Sequence, residues 1–313
     1  MPRRPITLFA LLLVVCTCLV QAQTTYTGTT YADAFLATGS TNNPVGADLT
    51  GLNFGGAGTL VVAPANSAKG EFQSVLKFNL SNAVALFNTN YGAGHWTITN
   101  VSLQLTSNYG TGGVQPNNAI FPTISGGTFL IEWLSNDNWV EGTGTPNLPT
   151  TDGVTYDSLP DLLSDAHEIL CTNTYTPPGN NIPVTYTLPL TTNLVNDVSA
   201  GGDVTLLFSA ADDQIGYLFN SYSYGRGNEP LIEVTVVLNA GQPEILSGYF
   251  MNGVFRLIGS GSTNLSYRVQ ASSDLTTTNW QSLGTVTADG AGVIQFDDVT
   301  ATNVGQRFYR LAN

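Results

Sequence analysis

The chain is written in short runs with a period of two. Phe72, Ser74, Leu76 and Phe78 alternate with Gln73 and Lys77, and Val101, Leu103 and Leu105 alternate with Ser102 and Gln104. The same beat returns at Phe129, Ile131 and Trp133, at Val184, Tyr186 and Leu188, at Val204, Leu206 and Phe208, and at Ile232, Val234 and Val236. Successive side chains of a strand point to opposite faces, so this spacing predicts antiparallel sheets with one buried face. Gly, Asn, Pro or Ser clusters bound each run and supply the turns. Helical signals are brief: 193–200 with Thr192 as cap and Gly201 as stop, a turn or two from Pro160 to Glu168, and 82–87 after Ser81. With no layer of helices available, the expected fold is all-β, a two-sheet sandwich.

The pattern divides the chain. Arg3 and Arg4 precede a mostly apolar run to Val20, which is short for a membrane span, so residues 1–22 are expected to be a signal peptide cut after Ala22. Residues 24–238 form the main unit and 239–243 read as a linker. Residues 244–313, with short strands near 254–258, 267–272, 281–287, 293–296 and 308–311, suit a small immunoglobulin- or fibronectin-like β-sandwich. Cys16 and Cys18 leave with the signal, and Cys171 alone cannot form an intramolecular disulfide.

Charge narrows the partners. The chain carries a formal −13, and residues 24–240 hold seventeen acids against three cations, Lys69, Lys77 and Arg226. Such a field repels phosphate backbones and anionic membranes, so nucleic acid is excluded as a partner. No second apolar run long enough for a membrane span follows the signal.

The most informative stretch is Asn138-Trp139-Val140-Glu141-Gly142-Thr143-Gly144, followed by Asp152-Gly153-Val154-Thr155-Tyr156. With Asp33-Ala34-Phe35-Leu36, Ser74 to Leu80, Ile98 to Leu105, Leu190 to Phe208, and Ser223 to Arg226 with Pro230-Leu231-Ile232, it resembles the DNRLRE domain, which is related to carbohydrate-binding modules. Tyr156 stands where members often have Trp. The resemblance implies a secreted jelly-roll β-sandwich over 24–238. The C-terminal unit resembles a small domain at the ends of many secreted bacterial proteins, through Tyr267 to Leu275, Asn279-Trp280, Phe296-Asp297-Asp298 and Arg307 to Leu311.

Six residues are candidates for ligand contact. Trp139 offers an aromatic face to a sugar ring and Glu141 a carboxylate to its hydroxyls; alternatively Trp139 plugs the sandwich edge and Glu141 ties down the Gly-rich loop. Lys77 and Arg226 match blocks where a cation recurs and would hold an acidic glycan, unless they pair with neighbouring acids. Tyr222 and Tyr224 could add a stacking surface beside Arg226. No cofactor is required, although Asp212-Asp213, Asp297-Asp298 and the set Asp152, Asp157, Asp161 and Asp165 leave a structural Ca²⁺ open. His95 and His167 are isolated and no Gly-x-Ser-x-Gly elbow occurs, so catalysis is not expected. The expected function is a secreted, non-catalytic polysaccharide-binding protein. A structural or adhesive cell-surface protein without a sugar site is the alternative.

Overall fold

The computed structural model describes residues 23–109, 116, 118–238, 243–275, 279–303 and 306–312. The expected signal peptide, 1–22, and residues 239–242 of the expected linker lie outside the described residues. The chain is all-β. Its first ten strands are β1 (Gln23–Ala37), β2 (Thr59–Val62), β3 (Phe72–Asn79), β4 (Trp96–Thr106), β5 (Gly127–Leu134), β6 (His167–Tyr175), β7 (Pro183–Leu188), β8 (Asp203–Ala210), β9 (Tyr217–Asn220) and β10 (Leu231–Leu238).

Eight of these run in the order β6-β5-β8-β3-β1-β10-β4-β7, every pair antiparallel. The long β1 belongs to two layers. Its first half pairs with β10, from Gln23↔Val237 to Thr29↔Leu231, and its second half pairs with β3, from Thr30↔Phe78 to Ala37↔Phe72. The register slips between Thr30 and Ala32, and the Thr30 hydroxyl donates there to the carbonyls of Ala32 and Lys77. Such a bulge bends its strand. The inner faces then meet in one apolar core. Phe129 on β5 stands edge-on to Tyr186 on β7 at 5.3 Å between ring centroids, and Phe35 stacks on Phe54 at 4.4 Å. The β2–β9 pair lines the same core.

One expectation is corrected here. β3 is buried on both faces, except at Asn79, and not on one. The outer face of the β1–β3–β8–β5 layer is roofed by the segment that follows β5. Trp139, Val154, Leu159 and Leu162 of that segment pack on Ala32, Ala34, Leu36, Val75, Leu134 and Leu207 as a second, smaller core.

Among the described residues the α-helices are α1 (Ser81–Tyr91), α2 (Leu159–Leu162) and α3 (Thr192–Ala200). Thr191, one residue earlier than expected, caps α3 by accepting from Leu194 N, and Gly201 ends it in the left-handed conformation. The turn at Pro160 stops at Leu162, because the chain re-enters the sheet at His167.

The remaining strands are β11 (Glu244–Met251), β12 (Val254–Ser260), β13 (Ser266–Ser272), β14 (Gln281–Thr287), β15 (Val293–Asp298) and β16 (Phe308–Ala312). They form two three-stranded antiparallel sheets, β11-β12-β15 and β14-β13-β16, with Tyr267, Ala288 and Ile294 as their buried centre. So small a centre is supplemented at the surface, where Arg256 forks onto Asp297 with two contacts of 2.7 Å and Phe255 stacks on Tyr309.

Candidate functional site

The Trp139 segment is held from beneath by polar groups of the sheet. Lys77 on β3 and Thr205 on β8 are directly paired and project to the outer face. The Lys77 ammonium donates to the carbonyls of Asp137 at 2.7 Å and Trp139 at 2.8 Å, and sits 4.4 Å from the centre of the Trp139 ring. The Thr205 hydroxyl donates to the Asp137 carboxylate at 2.6 Å and accepts from the Trp139 indole N–H at 3.1 Å. Burial pushes the Lys77 ammonium below its usual range and the Asp137 carboxyl above its own.

A second anchor is Asn53, which is fully buried. Its amide donates to the carbonyls of Glu141 and Val154, and its side-chain oxygen accepts from the N–H groups of Gly55 and Gly144. One side chain thus binds both halves of the roof. This explains the glycines of the motif. A Cβ on Gly144 would fall 1.9 Å from the Asn53 carbonyl oxygen, and Gly142 has φ +80° with its Cα against the Asn53 amide. Glu141 turns inward and accepts the backbone N–H of Asp33 at 3.1 Å, and burial raises its carboxyl above the usual range.

On this base lies a groove of about 500 Å³. It is lined by Asn136, Asn138, Trp139, Val140, Thr151 to Val154, Ser158, Asp161 and Leu162. The side chains of Asn138, Thr151 and Asp161 are exposed and find no hydrogen-bond partner among the described residues. Asp152 differs. It accepts from the Thr143 N–H and hydroxyl and from the Thr150 hydroxyl, which draw its carboxyl down to about 2.

The structure redistributes the six candidates. Lys77, 5% exposed, is no ligand contact, because both loop carbonyls and the Trp139 ring enclose its ammonium. Trp139 is 7% exposed, at the base of the groove, and Glu141 is bound to β1, so both serve as structural supports of the groove. Arg226 is not on a strand. It stands exposed in the turn after the 3₁₀ segment Tyr222–Tyr224, with its guanidinium 5.6 Å from the Tyr224 ring centre. Tyr222 is exposed and Tyr224 half-buried. Lys77 and Arg226 therefore do not converge on one ligand. Sequence reasoning placed Asn138 in the motif but not among the ligand candidates, and it missed Asn53, since a lone asparagine carries no periodic signal.

No family model and no curated protein matches the sequence. The solved structures similar to it include these two. One is the glycoside hydrolase domain of Endo-D from Streptococcus pneumoniae R6, at 13% identity and TM-score 0.15, over 88% of this chain and 31% of that one. The other is a β-glucuronidase from Ruminococcus gnavus, at 7% identity and TM-score 0.21, over 92% of this chain and 44% of that one. The chain thus spans less than half of either, and scores this low lend no weight to a function.

Of the acids weighed for calcium, some are engaged by the protein, Asp152 among them, whereas the Asp161 side chain finds no partner among the described residues. Asp212 accepts from Thr128, Gln214 and Ile215, Asp297 from Arg256, and Asp298 from Thr300, Arg307 and Tyr309. Among the described residues no three His, Cys, Asp or Glu side chains gather at one point, and no helix is long and apolar enough to cross a membrane.

Proposed function

We propose that the protein is a secreted, non-catalytic polysaccharide-binding protein whose ligand lies in the groove above Trp139. The observation that carries this reading is the groove's lining. Asn138, Thr151 and Asp161 present unengaged polar atoms on a base fixed by Lys77, Thr205 and Asn53. Sugar hydroxyls donate and accept, which suits a carboxamide, a hydroxyl and a carboxylate. A base already rigid spares the ligand the cost of ordering it. The lining holds Asp152 and Asp161 and no cation. A neutral glycan therefore fits better than the acidic one that Lys77 and Arg226 suggested. The resemblance to the DNRLRE domain supports the same role for 24–238, with 244–313 as an appended module.

Affinity electrophoresis tests it. A neutral polysaccharide should retard the protein, and alginate or pectate should not. The double substitution Asn138→Ala, Asp161→Ala should abolish the retardation. No retardation by any polysaccharide, or full retardation of the double variant, ends the proposal.

The rival reading, an adhesive or structural surface protein, is favoured by β11. Every residue of that strand is exposed, and Leu246 and Phe250 are 59% and 63% exposed. Self-association of the pure protein without glycan retention would select it.

A further inference from the structure

We propose that Asp33 and Glu141 form a cation site of the calcium class. Asp33 lies on β1 just beyond the point where β10 leaves it, and it is fully buried. One carboxylate oxygen, Oδ2, accepts the backbone N–H of Tyr222 at 2.7 Å. The other, Oδ1, is the one buried side-chain oxygen or nitrogen without a hydrogen-bond partner among the described residues. The Glu141 carboxylate meets the same residue at its backbone, its Oε1 accepting the N–H of Asp33 at 3.1 Å, and its charge is felt at the Asp33 carboxyl.

Neither neighbouring cation neutralises this pair. The Lys77 ammonium is turned to the Asp137 and Trp139 carbonyls, and Arg226 stands over Tyr224. An ionised carboxylate with an unmatched oxygen in a dry interior is disfavoured and a second carboxylate nearby adds to the penalty, so that without a cation the Asp33 carboxyl is held well above its usual range and keeps its proton. A hard cation removes both terms at once.

Calcium accepts about six to eight oxygens and tolerates irregular geometry, so two carboxylates suffice when carbonyls and water complete the shell. A carbonyl is at hand. Gly55 packs directly on Glu141, where a Cβ would fall 2.7 Å from the Glu141 Cγ, and among the described residues the Gly55 oxygen accepts only from Ser223 Oγ, at 3.4 Å. Glu141 is half-buried and gives the site its opening to solvent. A cation here would fasten β1, the Glu141 loop and the Tyr222 turn together. The site is separate from the aspartates weighed in the sequence, and it does not depend on glycan binding.

Equilibrium dialysis of the chelator-stripped full chain against millimolar calcium chloride should give one bound calcium per chain, with a Kd on the order of 10⁻⁴ to 10⁻³ M. The melting temperature should rise with calcium and less with magnesium. In Asp33→Asn the calcium affinity should fall at least about ten-fold and the melting shift should vanish. No uptake by the wild-type protein, or unchanged affinity in Asp33→Asn, overturns the site. If Asp33→Asn does not fold, Glu141→Gln is read by the same two criteria.

Discussion

Lys77 and Thr205 face each other across β3 and β8 and hold the same two residues, Asp137 and Trp139, from below. The floor of the groove is therefore part of the sheet. What looks like a surface loop is fixed by hydrogen bonds that it cannot exchange for water without lifting Trp139 from a closed apolar pocket.

Replacing Lys77 with Met keeps the aliphatic stem and removes the ammonium. Two buried carbonyls then lose a charged donor, which costs about 2–4 kcal/mol. The urea midpoint should fall accordingly with an unchanged m value. Arg226→Ala, at an exposed turn, should leave stability within about 0.5 kcal/mol.

Asn53→Ala should be as damaging although Asn53 does not itself line the groove. Four backbone groups from two loops lose their partner. A loss of about 3 kcal/mol in chemical denaturation is expected, together with weaker glycan retention at temperatures where the fold survives.

Gly144→Ala forces a methyl into the Asn53 carbonyl, which is backbone and cannot yield. It should cost more than about 2 kcal/mol. Gly290→Ala meets nothing within 4 Å and serves as the control that should change little. Paired thermal melts of the two variants decide this.

Asp197 gives a pH signature. Burial raises its carboxyl to about 6, with Asp137 and Asp203 adding to the rise and the Trp133 indole N–H opposing it. The folded state thus holds the proton more tightly than the unfolded chain. Asp197 contributes fully below the unfolded value of about 4, and its contribution is lost as pH rises through about 6. Asp197→Asn should therefore raise stability relative to wild type at pH 7 more than at pH 4. Urea titrations at the two pH values measure it.

Much of the fold was legible because alternation survives in each strand separately. Phe129, Ile131 and Trp133 announce β5 without help from the rest of the chain. The doubly buried face of β3 was not legible, since a buried Lys77 and an exposed one write the same letter in the pattern. What separates them is a roof some sixty residues away, at Asp137 and Trp139. The motif glycines mark the segment that roofs the sheet, but their partner, Asn53, is set by tertiary approach and leaves no local trace.

The path of β1 through both layers sets the order in which the molecule can be completed. Gln23 finds its partner only at Val237, so the opening residues of the first strand must wait for nearly the whole sandwich to be synthesised before they can be paired. Closure of so distant a contact is slow, and a chain halted before β10 would carry an unmated strand at its leading end.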